Sequence, residues 1–347
     1  MAPGRPALSS VPPARAGRFG FVLDLARELA PQDFIMVAYL LVLVGVGYGV
    51  ASSPDRDRAL YELGGLLGFL VTIIGLVRTG HLRHGFFAPL LYRVAIYAVL
   101  LVSYFVLGRL LPLMNHAPVD EKLYALDLTL FGFEPALAME RWVNPVTTEW
   151  FAFFYLSYFG LLAFVLIPLV LGARDQRLLG ELGCGIVLAF CLGHVGYLLV
   201  PGFGPYWALA ARFERQLPSG PFMGALAYVV SRGGAKMDIF PSIHTAVPTL
   251  LVLYLFRHRG RVRPRWAWLI VAGLLVNIIP STMFLRWHYL IDVVAGLVVA
   301  GVAFAVSVVV TRRELERRGD RRTECWPSFR RAGAAQESGS RLAPTIT

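Results

Sequence analysis

The chain has 347 residues, 56% of them hydrophobic and only 16% charged, with a formal net charge of +11. A mean hydropathy of +0.61 argues against a soluble multi-domain protein of this length and against a disordered polar chain. The positive charge does not call for a nucleic-acid partner, because it sits in short stretches beside apolar runs, where orientation in a membrane accounts for it.

Residues 1–33 carry Pro3, Pro6, Pro12 and Pro13 among small residues and arginines, then a weakly amphipathic stretch from Phe19 to Leu29. No cleavable signal pattern is visible, so this segment is expected to be cytoplasmic and partly disordered. Eight apolar runs follow, at about 34–52, 61–77, 88–112, 149–171, 180–200, 241–256, 266–284 and 288–311. A helix of roughly 20 residues crosses a hydrocarbon core of about 30 Å, so the expected fold is all-α: a polytopic integral membrane bundle of about eight transmembrane helices. The sixth run is the shortest, and length alone would also allow a buried or interfacial segment. The loop charges favour a span.

The tail, 312–347, is arginine-rich with no apolar periodicity and reads as cytoplasmic and partly disordered. Cys184 and Cys191 are seven residues apart on one helix, roughly 10 Å along its axis, too far for a disulfide. With Cys325 in the tail they read as packing residues rather than chemistry.

With eight spans the termini share a side with loops 78–87, 172–179 and 257–265, the last holding five arginines in nine positions. The opposite side receives 53–60, 113–148, 201–240 and 285–287. Stretch 113–148 sets Asp120, Glu121, Asp127, Glu134 and Glu140 against Lys122 and Arg141, so positive-inside bias places it outside and the termini in the cytoplasm. Loop 201–240 departs from the trend, with Arg212, Arg215, Arg232 and Lys236 against Glu214 and Asp238. Those cations are either tolerated exceptions or contacts for an anionic substrate.

Two segments carry the chemical signal: Asp238-Ile-Phe-Pro-Ser-Ile-His-Thr245 and Arg286-Trp-His-Tyr-Leu-Ile-Asp292. Each opens a span from the outer side, so His244 and His288 can converge at one membrane face. His288 and Asp292 are four apart and share a helix face. An aspartate there can fix the imidazole tautomer and raise the nucleophilicity of the other nitrogen; it also suits the positive end of a helix dipole. Ser242 at a helix start serves as an N-cap or an oxyanion ligand. Pro248 cannot donate to the carbonyl of His244, which opens the helix beside that histidine. Two histidines and an aspartate fit nucleophile, proton donor and orienting base. Zinc is the competing use, disfavoured because neither spacing supplies a second close ligand.

The segments resemble the second and third signature motifs of the type 2 phosphatidic acid phosphatase superfamily, with Pro241-Ser242-Ile243-His244 in place of P-S-G-H and His288 and Asp292 matching H-x-x-x-D. The likeness is closer to the branch of inositol phosphorylceramide synthase and the sphingomyelin synthases, which carries P-S-x-H and H-Y-x-x-D. It covers roughly 88–311 as a six-helix catalytic core, leaving 34–87 as two additional helices. Departures stand out. The S-R pair before the third motif is Ser281-Thr282 here, and the first motif, K-x6-R-P, is replaced by His194 and an aromatic, proline-rich run ending Pro201-Gly-Phe-Gly-Pro-Tyr206.

The resemblance implies an extracytoplasmic site in a bacterial-type plasma membrane, where His288 attacks phosphorus and His244 protonates the leaving group. A second alcohol or water then discharges the phosphohistidine, with no metal or cofactor and with membrane lipids as substrates. Ser242, Arg286 and Lys236 are the candidates for holding the phosphate. Arg286 could equally be an interfacial snorkelling residue. The missing phosphatase motifs favour transfer of an inositol-phosphate-like head group over hydrolysis, and a non-catalytic lipid-binding or flipping protein is the alternative of another class.

Overall fold

The computed structural model describes residues 25–82, 86–114, 118–233, 236–319 and 324–329. Most of the Phe19 to Leu29 stretch lies outside the described residues, as does the tail apart from its beginning and residues 324–329. Among the described residues there is no strand, and seven helices are long and apolar enough to cross a membrane. They are α1 (Pro31–Gly49), α2 (Pro54–Arg78), α3 (Phe87–Leu113), α5 (Pro145–Leu161, continued to Gly172), α6 (Gln176–Leu199), α9 (Ala267–Phe284) and α10 (Leu290–Arg318). Between them lie α4 (Asp120–Phe131), α7 (Pro221–Arg232) and α8 (Ile243–Arg257).

The expected sixth span is α8, fifteen residues long. At 1.5 Å per residue it reaches about 22 Å, short of a hydrocarbon core of about 30 Å. Its far end, Arg257, pairs with Glu181 of α6 at 2.6 Å. His244 lies in the first turn of this short helix. The apolar run 149–171 becomes α5 interrupted by a π-helical turn at Leu162–Leu166. Pro168, which lacks an N–H for a regular helix ladder, sits just beyond it.

α6 is the most enclosed helix, packed on α10, α8, α1 and α3. Small residues on it permit close approach: a Cβ at Gly196 would collide with the Pro241 ring, and one at Gly193 with the Ile243 side chain. The start of α8 is thereby seated against α6. The segment before α1 meets the end of α10 at one end of the bundle, where Arg317 and Arg318 donate to the carbonyls of Arg27, Glu28 and Leu29. The histidine segments lie at the opposite end. There the connections expected as loops contain α4 and α7, and α7 lies against α5 with Leu226 fully buried.

Candidate active site

The turn between α9 and α10 positions His288. α9 closes with the Arg286 N–H donating to Met283 O (2.9 Å) and the Trp287 N–H to Thr282 O (2.9 Å), the double bond of a Schellman cap. The left-handed position, normally glycine, is Arg286 at φ 68°, which costs a side-chain-bearing residue about 1–2 kcal/mol. His288 N–H also reaches Thr282 O, at 3.2 Å.

α10 then starts under carboxylate control. Asp127 of α4 accepts from the N–H groups of Leu290 (2.7 Å) and Ile291 (2.9 Å), and Asp292 Oδ2 accepts from Tyr289 N–H at 2.9 Å. These bonds satisfy donors that a helix start leaves open. Burial raises the Asp127 carboxyl above its ordinary value, opposed by the two amides.

α8 and α10 are joined at their starts. Ser242 N–H donates to Asp292 O at 3.0 Å, and a Cβ at Gly296 would meet Ser242 O at 2.5 Å. This contact brings the His244 and His288 rings to 6.0 Å between centroids. His288 Nδ1 lies 3.4 Å from Asp292 Oδ2, an ion-pair distance longer than an ordinary hydrogen bond. His244 is clasped by Tyr155 at 4.5 Å and Tyr158 at 4.3 Å. His244 Nε2, His288 Nδ1, Asp292 Oδ1 and Trp287 Nε1 are buried without a hydrogen-bond partner among the described residues. Natural cores satisfy such atoms, so this concentration marks a site rather than a scaffold.

The remaining expected site residues lie differently. Ser242 is fully buried, and its Oγ is 3.2 Å from Thr245 Oγ1, with no side-chain cap bond. Arg286 turns to the connections that precede α5 and α7: its guanidinium donates to Arg215 O (2.5 Å) and Glu140 (3.3 Å) and stacks 3.7 Å over Phe213. Its charge is already matched by Glu140. Lys236 is exposed, two residues before Asp238.

Three carboxylates outside the expected site residues also shape this end. Asp127 caps α10. Asp120 accepts from Phe203 N–H (2.9 Å), Gly204 N–H (2.7 Å) and Tyr289 O–H (3.2 Å), pinning the 201–206 run over the site. Gly204 has φ 96°, and a Cβ there would stand 2.5 Å from Trp287 O, so the run fits only with glycine at that point. Asp238 accepts from Tyr104 O–H at 2.6 Å and lines a cavity together with His244. Burial raises its carboxyl, opposed by the Tyr104 hydroxyl and the His288 ring. The one available signal was its place three residues before the Pro241-Ser242 pair.

That cavity, about 480 Å³, runs between α3, α5 and α6 from His244 and Asp238 to Arg93 and Leu171, with mostly apolar walls. His194, which stands where the first motif was sought, lines it and is 2.7 Å through Nδ1 from the Tyr39 hydroxyl of α1.

A family model described as the PAP2 superfamily matches residues 121–306, more than half of the chain. The chain belongs to the PAP2 superfamily. Both histidine segments, Asp127 and Asp238 lie inside the matched range, whereas Asp120 stands one residue before it. No curated protein and no solved structure matches the chain. PAP2 membership carries lipid-phosphate chemistry of the phosphatase or phosphotransferase kind, and the seven apolar helices make this an integral membrane PAP2 protein.

Proposed function

We propose that the protein is a membrane phosphotransferase that moves a phosphate-bearing, inositol-phosphate-like head group between lipids through a phosphohistidine at the extracytoplasmic face. The observation that carries this reading is the pairing of two histidines at adjoining helix starts, rings 6.0 Å apart, with Asp292 at 3.4 Å from one of them. With Nδ1 facing Asp292, Nε2 of His288 is the nucleophile. It forms the N–P bond as the P–O ester bond breaks, and His244 delivers its proton to the departing oxygen. In the second step an alcohol oxygen attacks phosphorus, the N–P bond breaks, and His244 takes the alcohol's proton.

The helix start of α8 and its dipole face the transferring group, an arrangement suited to charge on equatorial oxygens. That role matters because Arg286 is paired with Glu140. The absence of the phosphatase cations at the first motif and beside Thr282 supports transfer over hydrolysis, and supports kinship with the inositol phosphorylceramide and sphingomyelin synthase branch. The apolar cavity opening at His244 suits the hydrocarbon chain of such a substrate.

Purified protein supplied with a radiolabelled phospholipid, a ceramide-like acceptor and a chelator is expected to form a new labelled lipid. His288→Ala should abolish it. Full activity in that variant would sink the mechanism. Free labelled phosphate without a new lipid would make the protein a phosphatase, and activity lost to chelator but restored by zinc would favour a metal centre.

A further inference from the structure

We propose that the C-terminal segment 324–329 plugs the end of the cavity remote from the histidines and so limits the length of apolar chain the protein accepts. The proposal rests on the assignment of the cavity to the lipid's hydrocarbon chain. Along α3 the cavity extends from Tyr104, bonded to Asp238, to Arg93, eleven residues earlier. At helical rise that is about 16 Å, close to half of a hydrocarbon core of about 30 Å, the depth of one leaflet. A single chain fits that depth, provided the far end is closed.

The closure is built from Arg93 and Tyr97, and the tail holds both. Arg93 donates to Leu171 O (2.8 Å) and to Pro327 O (3.1 Å), and its guanidinium lies 4.5 Å over the Phe329 ring. Tyr97 stacks on Trp326, with centroids 6.4 Å apart and planes 19° apart. Trp326 is wholly buried, with Tyr92 edge-on at 5.6 Å. It occupies a recess at Gly183, where an added Cβ would come within 2.5 Å of its ring.

The segment is gripped mainly through its backbone. Gln32 donates to Cys325 O (2.9 Å), and Arg78 to Glu324 O (2.9 Å) and Cys325 O (3.1 Å). Gln176 both donates to Trp326 O (2.8 Å) and accepts from its N–H (3.1 Å). Anchors from α1, α2, α3 and α6 thus converge on six residues that sequence patterning left as tail. Arg93 is the link, since it faces the cavity on one side and bonds the tail on the other.

The test uses full-length protein in detergent and non-hydrolysable n-alkylphosphonates of graded length, with binding read by calorimetry. In the wild type, affinity should climb about fourfold per added methylene while the chain fits, then stop at a limiting length. Trp326→Ala, and separately Gly183→Val, which displaces the indole, should let the climb continue to longer chains without changing affinity for short ones. An unchanged limit in both variants, or a uniform loss at all lengths, would overturn the proposal. If the wild type shows the limit yet transfers no phosphate-bearing group, the chemistry assigned to the histidines fails and the plug stands. If the wild type turns over lipid but shows no limit, the chemistry stands and the plug fails.

Discussion

The pairing of His288 with Asp292 was expected from a shared helix face, but α10 starts only at Leu290, so His288 stands in the preceding turn and meets Asp292 across the helix start. At 3.4 Å from Asp292 Oδ2, which accepts from Tyr289 N–H, His288 Nδ1 has no hydrogen-bond partner among the described residues, a geometry that tightens when charge develops on the ring. Asp292→Asn keeps the shape and removes that charge. Its amide can also donate to Nδ1, which forces the ring proton onto the attacking nitrogen. The expected result is a fall in kcat of about 10²- to 10⁴-fold with KM little changed, measured by turnover of the labelled lipid. A variant as fast as the wild type would remove Asp292 from the mechanism. Asp238 was not legible in the same way. Its partner Tyr104 is 134 residues away, and nothing in the local pattern says that α3 passes the start of α8. Arg286 shows the converse limit. Its charge and position suggested phosphate, yet its left-handed backbone aims the side chain at Glu140 and Phe213.

The long apolar elements were read within several residues, because hydropathy is set by the solvent each helix faces. What escaped were α4, whose charges resemble loop, and α7, too short to stand out as a span. α4 bears directly on the site, since Asp127 holds the first amides of α10, those of the two residues just before Asp292. Asp127→Ala removes the acceptor for two donors and should cost about 0.5–2 kcal/mol, read as a lower thermal midpoint of the detergent-solubilised protein. It should also lower kcat, because His288 precedes those amides by two and three residues. Asp127→Asn, which retains an acceptor oxygen, should recover most of both. A loss of stability with unchanged turnover would make α4 scaffold alone.

At the scale of the molecule, the two ends of the bundle do different work. His244, His288 and the capping carboxylates gather at one end, while the other is a dense polar lock joining α1, α2 and α3 to the tail. Arg317 and Arg318 near the end of α10 hold residues 27–29 ahead of α1 at this end. The docked tail was not foreseeable: Cys325-Trp326 is flanked by arginines, and two apolar residues make no period. At the centre of the lock, Arg78 Nε lies 2.7 Å from Asp33 Oδ2, with both side chains at most 2% exposed, and Arg78 also holds Tyr92 at 2.8 Å. Removing one partner leaves a buried charge uncompensated, so Asp33→Asn should cost about 3–5 kcal/mol. The loss should appear as a lower unfolding midpoint, whereas turnover per folded molecule stays close to wild type because the pair sits at the end away from the histidines. An unchanged midpoint would mean that α1 and α2 are held by apolar packing alone. A large fall in turnover of the folded fraction would mean instead that the lock is coupled to the site, through Tyr39 of α1 and its bond to His194 in the cavity wall.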